Sequence, residues 1–195
     1  MLCDIFVIRN PIVGSTENSL TKKLTISESN SIKLVFMGRV TEEKGILKFI
    51  DKLQVSKFNI DFHIYGTGEL VDAIKSLDLR VGLKIIFHGY IERDKLLEEV
   101  SSYDIFVLPS IWYENAPLSI LEAANLGLPV IVPNYGGLKE MASLTNKYFM
   151  FDYSNSSIDD CLYYAMEEVN NNFIANPKEF TYDNYKKNII NVYFK

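Results

Sequence analysis

At 195 residues, with 48% hydrophobic residues and a formal net charge of −5, the chain suits one well-buried domain and is too acidic for a broad nucleic-acid surface. No apolar run reaches membrane-spanning length, and Met1 to Asn10 has neither the basic nor the hydrophobic region of a signal peptide. The two cysteines, Cys3 and Cys161, lack metal or redox spacing and read as free thiols of a reducing compartment, which makes the cytoplasm the expected location.

In chain order, Asp4 to Ile8 (DIFVI) reads as a short strand ended by Arg9-Asn10-Pro11, and Ser15 to Ser31 as an exposed polar connection. A regular alternation begins at Lys33. Lys33 to Met37 is a strand ending at Gly38, and Thr41 is placed to cap a helix whose Ile46, Leu47, Ile50 and Leu53 form its buried stripe. Ile60 to Tyr65 is the second strand, followed by Gly66-Thr67-Gly68 and a helix to about Leu77. Lys84 to Phe87 is the third, ending at His88-Gly89, with a helix from Asp94 to Val100; Asp104 to Leu108 is the fourth. Ser110 to Glu140 then reads as a loop, a short helix, a buried strand and a Gly-rich turn. Pro117 suits the first helical position, Ile120, Leu121 and Ala124 make the apolar stripe, and Gly127 with Pro129 ends the helix before the strand Pro129 to Pro133. Tyr148 to Phe151 is a short sixth strand. A helix is predicted over Ile158 to Val169, stopped by Asn170-Asn171-Asn172, and Thr181 is placed to cap a last one carrying Tyr182, Tyr185, Ile189 and Val192 on one face. Continuous apolar strands alternating with amphipathic helices predict an α/β, Rossmann-like, doubly wound parallel sheet covered on both faces.

Such sheets bind ligands outside the carboxyl ends of their strands, so Gly38-Arg39, Gly66-Thr67-Gly68, Gly89-Tyr90, Ser110 to Ala116 and Asn134 to Gly137 should converge on one crevice. Arg39 and Lys44 place two cations around the first strand–helix turn. A Lys in the first turn of a helix opposes the helix dipole, and convergence on a diphosphate accounts for the pair; surface pairing of Lys44 with Glu42 or Glu43 is the plainer alternative. The N–H groups of Leu118 and Ser119 lie at a positive helix end suited to an anion. Glu122 shares their helix face, and Glu114 lies on the incoming loop. A carboxylate repels phosphate, so these acids suit hydroxyls, and phosphate plus hydroxyls points to a nucleotide or nucleotide sugar; solvated charges near a helix start are the alternative. Gly66-x-Gly68 lacks the third glycine of a dinucleotide fingerprint, Val71 standing there, which counts against an oxidoreductase. His63 and His88 read as structural. Without a His/Cys/carboxylate cluster or an Asp-x-Asp pair, no metal or cofactor is expected. Ser110 and Ser119 lack an assignable His partner, so a serine hydrolase has no support.

The combination of Gly38-Arg39, Lys44-Gly45, Tyr65-Gly66-Thr67-Gly68, Phe87-His88-Gly89, Glu114-x7-Glu122 and Gly136-Gly137-x-x-Glu140 resembles the nucleotide-sugar-binding lobe of group 1 glycosyltransferases (family 4), retaining enzymes of the two-lobed GT-B fold. Val7 to Pro11 resembles the end of the linker between lobes. The resemblance implies residues 1–31 as linker end and connection, 32–195 as the donor-binding domain, and an acceptor-binding N-terminal lobe absent from this chain. It implies that Arg39 and Lys44 hold the donor diphosphate and stabilise the leaving nucleotide, that Glu122 accepts from the ribose hydroxyls, and that Glu114 contacts the transferred sugar. The N–H groups of Leu118 and Ser119 would meet the phosphates, Gly89-Tyr90 would lie beside the base, and Gly38, Gly66, Gly68, Asn115, Ala116 and Pro117 complete the candidate binding set. Many relatives have Gly where this chain has Pro117, which removes one N–H from the anion grip. The expected donor is a nucleotide sugar, UDP-linked by preference, the acceptor a glycan or lipid-linked sugar, and the location cytoplasmic or peripheral at the inner membrane face. A sugar-nucleotide epimerase of the same fold and a non-catalytic nucleotide-binding module are the competing expectations.

Overall fold

The computed structural model describes residues 31–154, 157–169 and 182–193; the Asp4–Ile8 strand, most of the polar connection, the Asn170–Asn172 stop and the Thr181 cap lie outside them. Six strands, β1 (Ile32–Met37), β2 (Ile60–Tyr65), β3 (Leu83–Gly89), β4 (Ile105–Val107), β5 (Val130–Pro133) and β6 (Tyr148–Phe151), form one sheet in the order β3-β2-β1-β4-β5-β6. Every neighbouring pair is parallel. Helices α1 (Ile46–Gln54), α2 (Val71–Lys75), α3 (Arg93–Val100), α4 (Leu118–Asn125) and α5 (Gly136–Ser143) connect successive strands, and α6 (Ile158–Val169) and α7 (Tyr182–Tyr193) follow. This is the Rossmann-like arrangement expected from the alternation. Leu34, Val35 and Phe36 of β1, all of β4, and Val130 to Val132 of β5 are fully buried. Apolar side chains on both faces of the central strands are what a sheet covered on two sides requires. β3 and β6, at the edges, are only partly covered.

The winding reverses between β1 and β4, whose register pairs Leu34 with Ile105 and Val35 with Phe106. The loops after these two strands therefore leave the sheet side by side, at the switch point where such folds open a crevice.

Several local expectations are corrected. Thr41 precedes a short 3-10 turn (Glu42–Lys44) and makes no capping hydrogen bond; Gly45, in the left-handed conformation, breaks that turn from α1. Phe49 joins Ile46, Ile50 and Leu53 as the buried face of α1, while Leu47 is only partly covered. α2 stops at Lys75, short of Leu77. Pro117 is the extended cap before α4 and not its first residue. The Gly136-Gly137 pair opens a helix, α5, where a turn was expected. On α7, Tyr182 is exposed, Tyr185 and Ile189 are half-buried, and the Val192 side chain lies outside the described residues.

Glycines at Gly66 and Gly68 let the turns after β1 and β2 press together. A Cβ at Gly66 would stand 1.8 Å from the Gly38 carbonyl oxygen, and one at Gly68 would stand 2.2 Å from that of Val40. Both glycines are explained by this close approach of backbones.

Candidate functional site

A hollow of about 260 Å³ opens at the carboxyl ends of β1, β2 and β3, lined by Gly38, Arg39, Tyr65, Gly66, Thr67, Gly89, Tyr90, Ile91 and Leu96. Its walls are one cation, backbone at three glycines, and aromatic or aliphatic side chains. The volume falls just below the range of about 300–1,000 Å³ of drug-sized sites, so it suits one ring system of a ligand whose remainder lies outside. The Arg39 side chain is 72% exposed and reaches Glu43 at 3.1 Å. Lys44, Glu114 and Glu122 are not among the residues lining this hollow.

They build a second cluster. Lys44 Nζ donates to Glu114 Oε1 at 2.5 Å, with the two side chains 17% and 19% exposed. The alternative of a surface pairing of Lys44 with Glu42 or Glu43 gives way to this contact, and Glu43 takes Arg39 instead. Ser110, fully buried at the end of β4, holds its hydroxyl 3.0 Å from the same Glu114 oxygen and 2.8 Å from the Glu43 carbonyl, donating to one at a time. The Tyr135 hydroxyl donates to the Ser110 carbonyl at 2.5 Å, and burial pushes that phenol up to about 12. Tyr153 donates to the Pro109 carbonyl. Hydroxyls from beyond β5 thus fix the loop that carries Glu114. Gly137 completes the brace: a Cβ there would lie 1.9 Å from the Glu114 carbonyl oxygen. The turns after β1, β4 and β5 therefore converge, as the switch-point rule requires.

Glu122, 16% exposed, faces a different cation. Arg93, the first residue of α3, brings Nη2 within 2.5 Å and Nε within 3.2 Å of its Oε1. Leu118 and Ser119 form the first turn of α4 and are partly exposed; Asn115, Ala116 and Pro117 lead into it. Arg39, Lys44 and Glu122 thus lie at one end of the sheet, each matched by its own partner: Glu43, Glu114 and Arg93.

Below the hollow, His63 Nδ1 and His88 Nε2 are 2.8 Å apart, so one ring donates and the other accepts. Tyr65 stacks on His88 with ring centroids 4.2 Å apart, and its hydroxyl donates to Glu99 at 2.9 Å. Burial holds His63 down at about 4 and His88 below its usual value. These histidines serve the packing of β2 against β3. No group of three or more His, Cys, Asp or Glu side chains suited to a metal ion occurs among the described residues. Cys161 is a free, buried thiol whose Sγ donates to the Met150 carbonyl. No helix of the described residues is long and apolar enough to cross a membrane.

A family model described as "Glycosyl transferases group 1" matches residues 19–178. The chain belongs to this family. This group 1 chain is 28% identical to an uncharacterized glycosyltransferase of Methanocaldococcus jannaschii over 92% of its own length and 49% of the relative's. It is 32% identical to the Escherichia coli UDP-Gal:alpha-D-GlcNAc-diphosphoundecaprenol alpha-1,3-galactosyltransferase over 62% of its length and 33% of the relative's. Among solved structures, it is similar to the lipopolysaccharide outer core galactosyltransferase WaaB (TM-score 0.66, 19% identity, 98% of this chain, 56% of that one). It also resembles Anabaena HepE in complex with UDP-glucose (TM-score 0.65, 18% identity, 84% of this chain, 48% of that one). At these identities the structural likeness concerns the fold, here one lobe of the GT-B kind. The chain spans between a third and about half of the length of these relatives.

In the group 1 frame, sequence reasoning missed Arg93, Ser110 as the partner of Glu114, Tyr135 and Tyr153 as braces, and Ile91 and Leu96 as walls. An Arg in the first turn of α3 opposes the helix dipole, the same signal that singled out Lys44. Nothing in the sequence marked the two tyrosines, which act from elements far along the chain.

Proposed function

We propose that this chain is the donor-binding lobe of a retaining, metal-independent glycosyltransferase that uses a nucleoside diphosphate sugar, UDP-linked by preference. The Lys44–Glu114 contact at 2.5 Å, beside the first turn of α4, carries the reading. It sets a cation for the diphosphate against a carboxylate for sugar hydroxyls at the reversal of the sheet. In this reading Arg39 and Lys44 clamp the diphosphate together with the N–H groups of Leu118 and Ser119. The base enters the hollow beside Gly89-Tyr90, and Glu122 accepts from the ribose. As the bond from the anomeric carbon to the diphosphate breaks, negative charge grows on the leaving oxygen, where preorganised cations and helix N–H groups act most strongly. The acceptor oxygen bonds to the anomeric carbon with retained configuration as its proton passes to the departing diphosphate oxygen, and Glu114 holds the transferred sugar. A second lobe supplies the acceptor, a glycan or lipid-linked sugar, and the work is done in the cytoplasm or at the inner face of its membrane. UDP-Gal in the name of the E. coli relative supports the base preference.

Titration calorimetry with UDP, GDP and ADP on the 195-residue chain tests this. UDP should bind most tightly, and Arg39→Ala should weaken it about 10-fold. No heat and no thermal shift with any of the three overturns the reading.

A further inference from the structure

We infer that Arg93 is a positioning residue that holds Glu122 in place to select a ribose over a deoxyribose. The inference rests on the donor reading above and adds to it a residue which that reading does not need.

The geometry points to Arg93 from two sides. Toward α4, its guanidinium reaches one carboxylate oxygen of Glu122 through two nitrogens, Nη2 at 2.5 Å and Nε at 3.2 Å. Toward the hollow, it stands beside the wall without lining it: Gly89, Tyr90 and Ile91, which precede it, and Leu96, which follows, all line the cavity. Of α3 it is Leu96, three residues further on, that lines the hollow, while Arg93 at the start of the helix turns to α4. The pair therefore ties the segment that would flank a base to the helix whose first turn would meet a phosphate.

The chemistry follows from what a carboxylate can accept. Each of its oxygens has two lone pairs, so Glu122 can keep Arg93 and still take the two hydroxyls of a ribose. A glutamate without such a clamp turns about three side-chain torsions and loses that freedom when a ligand fixes it, at a cost in affinity. Arg93 fixes the carboxylate beforehand. Its planar fork does this better than a lysine could, because the fork sets orientation as well as charge. A residue of this kind discriminates: the ligand lacking one hydroxyl leaves a fixed acceptor unpaired, whereas a mobile acceptor swings away to water.

The test compares UDP with 2′-deoxy-UDP by calorimetry on the 195-residue chain, in wild type, Arg93→Ala, Arg93→Lys and Arg39→Ala. Wild type should prefer UDP by about 10-fold. Arg93→Ala should bring that preference below about 3-fold, mostly by weakening UDP, and Arg93→Lys should fall between. Arg39→Ala should weaken both ligands alike and keep the ratio. Adding Glu122→Gln to Arg93→Ala should change the ratio little further, since both act on one contact. An unchanged ratio in folded Arg93→Ala, with both ligands weakened equally, overturns the inference and leaves the donor reading standing. Should Arg93→Ala fail to fold, Arg93→Lys decides by the same ratio. Wild type binding neither UDP, GDP nor ADP removes the donor reading and the role of Arg93 together.

Discussion

Seventy positions separate Lys44 from Glu114, yet their side chains meet at 2.5 Å with less than a fifth of each exposed. Sequence reasoning singled out both, Lys44 because it was expected in the first turn of a helix, where the structure has the end of a 3-10 turn, and Glu114 because it precedes a helix tip. Their contact was not legible, since nothing local links a turn after one strand with a loop after another. The pairing gives a prediction with a sign. Glu114 cancels part of the charge that Lys44 would offer a phosphate, and Ser110 adds its hydroxyl to the same carboxylate. Glu114→Gln should therefore bind UDP about 3–10-fold more tightly, the worth of roughly 1 kcal/mol of ion pairing, while on the donor reading proposed above any sugar transfer should fall. Calorimetry checks the first half; weaker or unchanged UDP binding contradicts it.

At the scale of elements, the strands were read most accurately. β2, β6 and α6 fall where the pattern put them, and the other four strands differ by one or two residues at their ends. Continuous apolar runs have little choice in a doubly covered sheet, which is why they were readable. Glycine was the misleading residue: at Gly136-Gly137 it opens α5, because Tyr113 and the Glu114 carbonyl pack too closely for any side chain. That requirement comes from a distant loop and leaves no local mark. β2 and β3 also carry a titration that sequence could not foresee. His63 and His88 face each other, with Tyr65, Tyr103 and Glu99 around them and Asp61 and Lys33 near His63. Folding lowers the His63 value from 6.5 to about 4, so in that interval the unfolded chain binds more protons than the folded one. Stability is then full above the upper value and declines as the pH drops through the interval. Discounting for partial exposure, urea unfolding should show a loss of roughly 1–3 kcal/mol between about pH 7 and about pH 4.5. His63→Gln should abolish most of that loss; an equal loss in the variant would rule the histidines out as its source.

For the whole molecule, the sheet order and the reversal between β1 and β4 decide where a ligand can sit. The doubly wound parallel sheet was implied by the alternation of strands and helices, whereas its strand order, the place of the reversal and the division into a hollow and a separate ion-pair cluster were not. The cations at that end share one trait: Arg39 has Glu43, Lys44 has Glu114, and Arg93 has Glu122. Seen from beyond about 8 Å, the Debye length of physiological salt, each pair is a dipole and not a charge, set in a protein of net charge −5. An anion diffusing toward this surface is thus not drawn in from afar. It meets attraction only on arrival, by trading places with an acid. Stopped-flow association of UDP should change by less than about 3-fold between about 0.05 and 0.3 M salt, where a steered encounter would slow by 10-fold or more. On the donor reading proposed above, capture by exchange would make the encounter slow to begin and indifferent to the ionic surroundings.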